Sequence, residues 1–149
     1  MNIHCARITP DSTGFGPLKS QSIAGGFNML RRLEENWLSG HNRFDRPGES
    51  LMGAYVDGLL VGVCGLNIDP FVSETGIGRL RHFYVDREWR NRRIGSYLLK
   101  EILRGADRWF DVINTNAPSS AFAFYERAGF FILSGRDNVT HQFCLRKPA

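Results

Sequence analysis

Residues 81–99 read RHFYVDREWRNRRIGSYLL, a run that passes from one backbone periodicity to another with no linker between. An apolar and aromatic strand, predicted over 79–86, enters a short basic turn. The turn opens a helix over 94–103, with Ile94, Leu98, Leu99 and Ile102 on one stripe and Arg104-Gly105 at its end. A strand that feeds a helix so directly must pack that helix back on a sheet, which implies a layered α/β chain. The first N–H groups of such a helix have no intrahelical acceptor and lie at its positive dipole end. Gly95 permits close backbone approach, Ser96 offers a hydroxyl, and Arg90, Arg92 and Arg93 add counter-charge. That combination suits a pyrophosphate. No GxxxxGK[ST] is present, and Gly76-Ile77-Gly78 lacks the remainder of a dinucleotide fingerprint.

The rest of the chain supplies the other strands and helices. A strand over 3–9 is followed by a Ser/Gly-rich turn up to Pro17. Ile23, Phe27, Leu30, Leu33 and Trp37 then predict one amphipathic helix over 21–37, weakened at Gly25 and Gly26. A polar loop occupies 39–50. Asp57-Gly58 divides 51–66 into a hairpin, 67–78 is irregular, and 109–114 reads as a strand. A helix is expected over 120–129, capped by Ser119 or Ser120 and ended by Gly129. Strands over 130–134 and 140–146 flank the turn GRDN. The order is β-α-β-β-β-α-β-α-β-β: a single domain over 1–149, built as a mixed sheet with helices on both faces.

Composition narrows the function. The chain has 149 residues, 42% of them hydrophobic, enough for a real core. No apolar run is long enough for a membrane span, and the N-terminus lacks a signal-peptide core. Cys5, Cys64 and Cys144 form no CxxC pair, so neither a disulfide framework nor a metal site is expected, and a reducing cytoplasm fits best. The net charge of +4 comes from sixteen arginines and three lysines against 15 acids. Arg87, Arg90, Arg92 and Arg93 cluster, which admits nucleic acid, a phosphorylated small molecule or a solvated helix start. Asp86 and Glu88 beside the cluster, and aromatics that fall on apolar stripes, argue against nucleic acid.

Two segments carry a resemblance. Arg90-Asn91-Arg92-Arg93-Ile94-Gly95 resembles the [R/Q]-x-x-G-x-[G/A] loop of the GNAT family of acetyl-CoA-dependent N-acetyltransferases, with Arg93 where that family usually has its first glycine. Residues 121–130, AFAFYERAGF, are similar to the family's A-x-x-F/L-Y-E-x-x-G-F segment. Pro118 stands where the family's usual asparagine would be, and Asn114 or Asn116 is the substitute.

The resemblance implies a GNAT-like fold and acetyl transfer from acetyl-CoA to an amine. It places loop residues 90–96 and Asn116 on the donor, and splays the strands 79–85 and 109–114 around its pantetheine arm. Backbone groups of Phe83 and Val85 then hold the pantetheine and the acetyl oxygen. Tyr125 occupies the family's tyrosine position, which implies a general acid facing the CoA sulfur. His82 is the candidate base. Glu34, Glu35, Asp69 and Glu74 are alternatives, as is water-relayed deprotonation with no dedicated side chain. Arg79 and Arg81 lie where relatives often carry acids, and two cations there favour an acceptor bearing a carboxylate or phosphate. Three rival readings remain: a protein or peptide acetyltransferase with 39–50 and 67–78 as groove walls, a CoA-binding domain without catalysis, and a nucleic-acid module. A monomer or a homodimer paired through the last strands is expected, with no membrane partner.

Overall fold

The computed structural model describes residues 2–145. A seven-stranded sheet runs through it, made of β1 (Ile3–Arg7), β2 (Ser50–Val56), β3 (Leu59–Ile68), β4 (Ile77–Val85), β5 (Val112–Thr115), β6 (Phe131–Ile132) and β7 (His141–Cys144). The strand order is β1-β2-β3-β4-β5-β7-β6. Only β4 and β5 pair in parallel; all other neighbours are antiparallel. The β2–β3 hairpin turns at Asp57-Gly58, both at positive φ, as a tight hairpin of right-handed twist requires.

Helices cover both faces. On one, α1 (Phe15–Ala24) and α2 (Met29–Ser39) bury Phe15, Leu18, Leu30 and Leu33 against Leu51, Leu60, Val63 and Tyr84. On the other, α3 (Ile94–Leu103) and α4 (Phe122–Arg127) bury Ile94, Leu98, Leu99, Ile102 and Tyr125 against Ala54, Val61, Leu66, Leu80 and Ile113. The four apolar residues that predicted α3 are all buried.

Several boundaries differ from expectation. The single helix over 21–37 is two helices, because Gly25 caps α1 and Gly26 adopts φ 86. Ile23 is consequently exposed. β5 begins at Val112, since residues 106–108 form a 3-10 turn. Neither Ser119 nor Ser120 caps α4: a 3-10 turn over 119–121 leads in, and no side chain bonds at the N-cap. β6 is far shorter than 130–134. The last residue of the predicted strand 140–146 lies outside the described residues. Among the described residues no helix is long and apolar enough to cross a membrane.

Candidate active site

The site begins where two strands part. Parallel pairing of β4 with β5 runs from Ile77↔Val112 to Leu80↔Thr115. β4 then continues through Arg81–Val85 while β5 ends at Thr115, leaving one edge of β4 without a strand among the described residues. Asp86 donates its N–H to the Val61 carbonyl on β3 at 2.7 Å. Gly62 and Val85 therefore form a non-hydrogen-bonded pair, and the N–H and C=O of Val85 point into the opening. By alternation those of Phe83 share that side.

A bulge sets which side chains flank the opening. Between Tyr84↔Val63 and Arg81↔Gly65, β4 carries one residue more than β3. His82 absorbs it with φ 57, a left-handed conformation uncommon for a residue with a Cβ. Strict alternation would send His82 to the α3 face with Leu80. Instead its ring lies on the α2 face, edge-on to Phe44 at 6.1 Å. One ring nitrogen bonds the Met29 backbone, while Nε2 is buried with no partner among the described residues. Gly65 makes room for this packing, since a Cβ there would stand 2.7 Å from the Phe44 ring. Burial first, then the guanidinium groups of Arg81, Arg32 and Arg79, push the His82 pKa down to about 3, with the Met29 bond pulling the other way.

Tyr125 sits on the other face of the same strand. Its ring packs edge-on to Phe83, Phe124 and Phe130. Its hydroxyl bonds Thr115 on β5 and lies within charge range of Cys64 on β3. Burial pushes the phenol well above its ordinary value, the nearby Cys64 adds to the rise, and the Thr115 bond opposes it. The Leu80 carbonyl, at the last paired position of the parallel strands, lies 3.3 Å from the Thr115 hydroxyl and competes with the phenol oxygen for its one proton.

The loop ahead of α3 is built for an anion. Asn91 and Arg93 adopt φ 63 and φ 64 on either side of Arg92. Arg93 is the N-cap of α3 and supplies no side-chain cap, so the first amides, Ile94, Gly95 and Ser96, remain for an outside acceptor. The left-handed Arg93 explains the family's glycine at this position: the loop keeps its shape at a backbone cost of about 1 kcal/mol or more. Arg93→Gly is expected to raise the melting temperature by roughly 2 °C, as relief of about 1 kcal/mol exceeds the entropy glycine adds. Thermal melts check this, and a fall would mean the side chain holds the loop. Arg92 lies over Trp89 at 5.1 Å. Arg90 is turned away from the amides: its Nε donates to the Val85 carbonyl at 3.0 Å, and its guanidinium lies over Phe27 and Tyr84. Gln21 on α1 fixes this corner, its Oε1 accepting from the Tyr84 hydroxyl and the Arg87 N–H.

Arg79 and Arg81 lie on the α2 face of β4, with the same orientation as Asn67 and Gly65 opposite them. Arg79 is buried, 3.6 Å from the Asp69 carboxylate, and stacks over Phe71 at 4.7 Å. Asp69 also accepts from Asn114, and Asn114 accepts from Gln142. These bonds form a polar row across β3, β4, β5 and β7 that no single segment of sequence displays. Asn114 is thus committed to the α2 face, whereas Asn116 is exposed just beyond β5. Glu34 is ion-paired with Lys19 and Glu35 with Arg31, while Glu74 lies exposed on the loop. Arg32 on α2 had no signal beyond helical position, and the fold brings it near Arg81 and His82. Among the described residues no group of His, Cys, Asp and Glu could hold a metal.

Comparison with known proteins agrees with this geometry. The chain matches the acetyltransferase (GNAT) family over residues 22–130, and it belongs to that family. It is 31% identical over 100 residues to an Escherichia coli (strain K12) protein named L-amino acid N-acetyltransferase AaaT, covering 59% of this chain and 57% of that protein. A candidate acetyltransferase from Exiguobacterium sp. 255-15 superposes with TM-score 0.86 at 27% identity, over 97% of this chain and 94% of the other. A GNAT-family acetyltransferase from Staphylococcus aureus Mu50 shares the fold with TM-score 0.67 at 20% identity, over 97% of this chain and all of the other.

Proposed function

We propose that this protein transfers an acetyl group from acetyl-CoA to the amine of a small molecule that also carries a carboxylate or phosphate. The observation that carries the reading is the bulged, half-open β4. It turns backbone groups of Phe83 and Val85 into a cleft that has the uncapped start of α3 at one end and the Tyr125 hydroxyl above it. The residues fit the donor. The amides of Ile94, Gly95 and Ser96, with Arg92 and Arg93 around them, hold the pyrophosphate; Asn91 shapes the loop. The Val85 N–H and the Phe83 groups hold the pantetheine arm and orient the thioester carbonyl. Arg90 yields the Val85 carbonyl or shares it, and Asn116 stands at the exposed rim.

In this reading the C–N bond forms as the C–S bond breaks, the proton lost by the attacking nitrogen ends on the departing sulfur to give free CoA thiol, and Tyr125 donates a hydrogen bond to that sulfur as it leaves. A phenol raised by burial is always protonated at neutral pH, and for the same reason it shares its proton with a thiolate more readily than it surrenders it. On the other face, His82 Nε2 is an unprotonated acceptor, suited to take a hydrogen bond from the attacking amine. Arg79 and Arg81 lie beyond it and favour an anionic acceptor. A relative named for L-amino acids, which carry a carboxylate beside the amine, supports that choice. The loops over 39–50 and 67–78 meet around a cavity of about 350 Å3, lined by His41, Asn42, Glu49, Asn67 and Asp69 among others. That is the scale of a small-molecule site, and it adjoins the arginine pair through Asp69, which is 3.6 Å from Arg79.

Saturating acetyl-CoA is expected to raise the melting temperature, since a ligand at about one hundred times its Kd adds about 2.7 kcal/mol. Release of free CoA thiol on adding a carboxylate-bearing amine should follow. No thermal shift, or a shift without thiol release from any amine, would overturn the reading.

A further inference from the structure

The acceptor side of the bulge carries an unbalanced charge. Arg79 and Arg81 from β4 both lie over the Phe71 ring, at 4.7 and 5.9 Å, and α2, the helix packed across β4, brings Arg32 within charge range of Arg81 and His82. Arg32 is three residues beyond Met29, so it shares the helical face whose Met29 backbone bonds the His82 ring. Among the described residues the carboxylate whose charge acts on Arg79 and Arg81 is Asp69, and it is committed to Arg79 at 3.6 Å while also accepting from Asn114 and the Phe71 N–H. Neither Arg81 nor Arg32 has a carboxylate within ion-pairing distance among the described residues. Arg81 is half-buried and its pKa is lowered, first by burial and then by Arg79, with Arg32 adding to it and Asp69 opposing. Among the described residues two buried polar atoms at this spot are left without a hydrogen bond: His82 Nε2, and Arg79 Nη1, whose contact with Asp69 at 3.6 Å is an ion pair longer than a hydrogen bond. Like charges held together beside unsatisfied polar atoms cost stability unless a ligand completes them.

We propose that the acceptor is an amine bearing two anionic groups, as an acidic amino acid does, and that Arg81 and Arg32 rather than Arg79 hold them. The proposal rests on the acetyl-transfer reading above and names its acceptor. Three cations against the single Asp69 leave two positive charges, which a dianion closes and a monocarboxylate does not. With both anionic groups seated, the acceptor's own ammonium is the charge left over. Burial beside the arginines disfavours that charge, so the ammonium loses its proton more easily than in water. The cluster thereby selects the acceptor by its anionic groups and delivers its amine neutral, without a strong base.

Calorimetric titration of L-glutamate and L-glutamine into the CoA-bound protein tests this. These two differ in one charge at nearly constant shape. Glutamate is expected to bind roughly tenfold more tightly, as a charge-assisted bond at a half-buried arginine provides. Arg81→Gln should weaken glutamate by roughly tenfold, and Arg32→Gln, at a more exposed site, by roughly threefold. Arg32→Lys should recover part of that loss. Turnover should follow, with the acid limb of the pH–rate profile moving upward in Arg81→Gln as the ammonium regains its proton. Equal binding of the two ligands, tighter glutamine, or no binding of either overturns the proposal. Release of CoA thiol with any other amine would then leave the acetyl-transfer reading standing, whereas no release with any amine would remove both.

Discussion

Tyr125→Phe is expected to lower kcat by roughly a hundredfold or more, the usual worth of a positioned proton donor, with little change in acetyl-CoA affinity. The asymmetry follows from where the hydroxyl lies. The ring, packed against Phe83, Phe124 and Phe130, is retained by phenylalanine, so the wall of the cleft keeps its shape. What is lost is the O–H beside Thr115, whose own hydroxyl is left to the Leu80 carbonyl. Stability should fall by only about 1 kcal/mol, one buried hydrogen bond. Single-turnover kinetics alongside a binding titration separates the two effects. A variant with undiminished chemistry would assign Tyr125 to packing alone. A variant losing affinity and rate together would make it a binding residue. Because the phenol is already protonated across the working range, the wild-type rate should show no basic limb from Tyr125 below pH 10.

The elements of this fold were readable in so far as they depend on local periodicity. The α3 stripe, the Asp57-Gly58 hairpin and the Gly129 stop each need only a few neighbouring residues, and each is present. The helix over 21–37 shows how periodicity misleads: Ile23 and Phe27 keep the helical spacing across Gly25-Gly26, although the backbone breaks there. The bulge is a deeper case. A strand read with period two has no place for an extra residue, so the sequence puts His82 in β4, where it lies, without showing its turn to the α2 face. The charges behaved similarly. Glu34 and Glu35 look available as bases until the fold supplies Lys19 and Arg31. Arg79 and Arg81 look equivalent until Asp69, ten positions upstream, takes one of them. Such distinctions depend on register between distant segments, and a single sequence does not state it.

The other large effect concerns acid. His82 is held neutral at a pKa of about 3, against about 6.5 in an unfolded chain, so between those values the unfolded state binds the proton that the native state refuses. Stability therefore rises with pH through this window. The contribution is fully present above about pH 6.5 and is lost as pH falls toward 3, because His82 must either stay neutral or leave its place between Met29 and Phe44. At pH 4.5, two units below the unfolded value, the native state is expected to be weaker by about 3 kcal/mol on this account alone. The variant to compare is His82→Asn. Asparagine tolerates the left-handed backbone that the bulge requires, whereas alanine would add strain and confuse the comparison. The absolute stability of His82→Asn at pH 7.5 will differ, since the edge contact with Phe44 is gone, but the informative quantity is the slope. Urea unfolding at intervals from pH 7.5 to 4.5 should show the wild-type protein losing about 3 kcal/mol more than the variant. Parallel curves would mean that His82 titrates in the native state as it does in water, and would overturn its assignment as a buried neutral ring. An anion seated on Arg81 and Arg32 offsets part of the arginine field at His82. A saturating acidic amino acid should therefore raise the lower end of the wild-type window, where the loss levels off, while the upper end stays near the unfolded value of about 6.5, and leave the His82→Asn curve with its shallow slope.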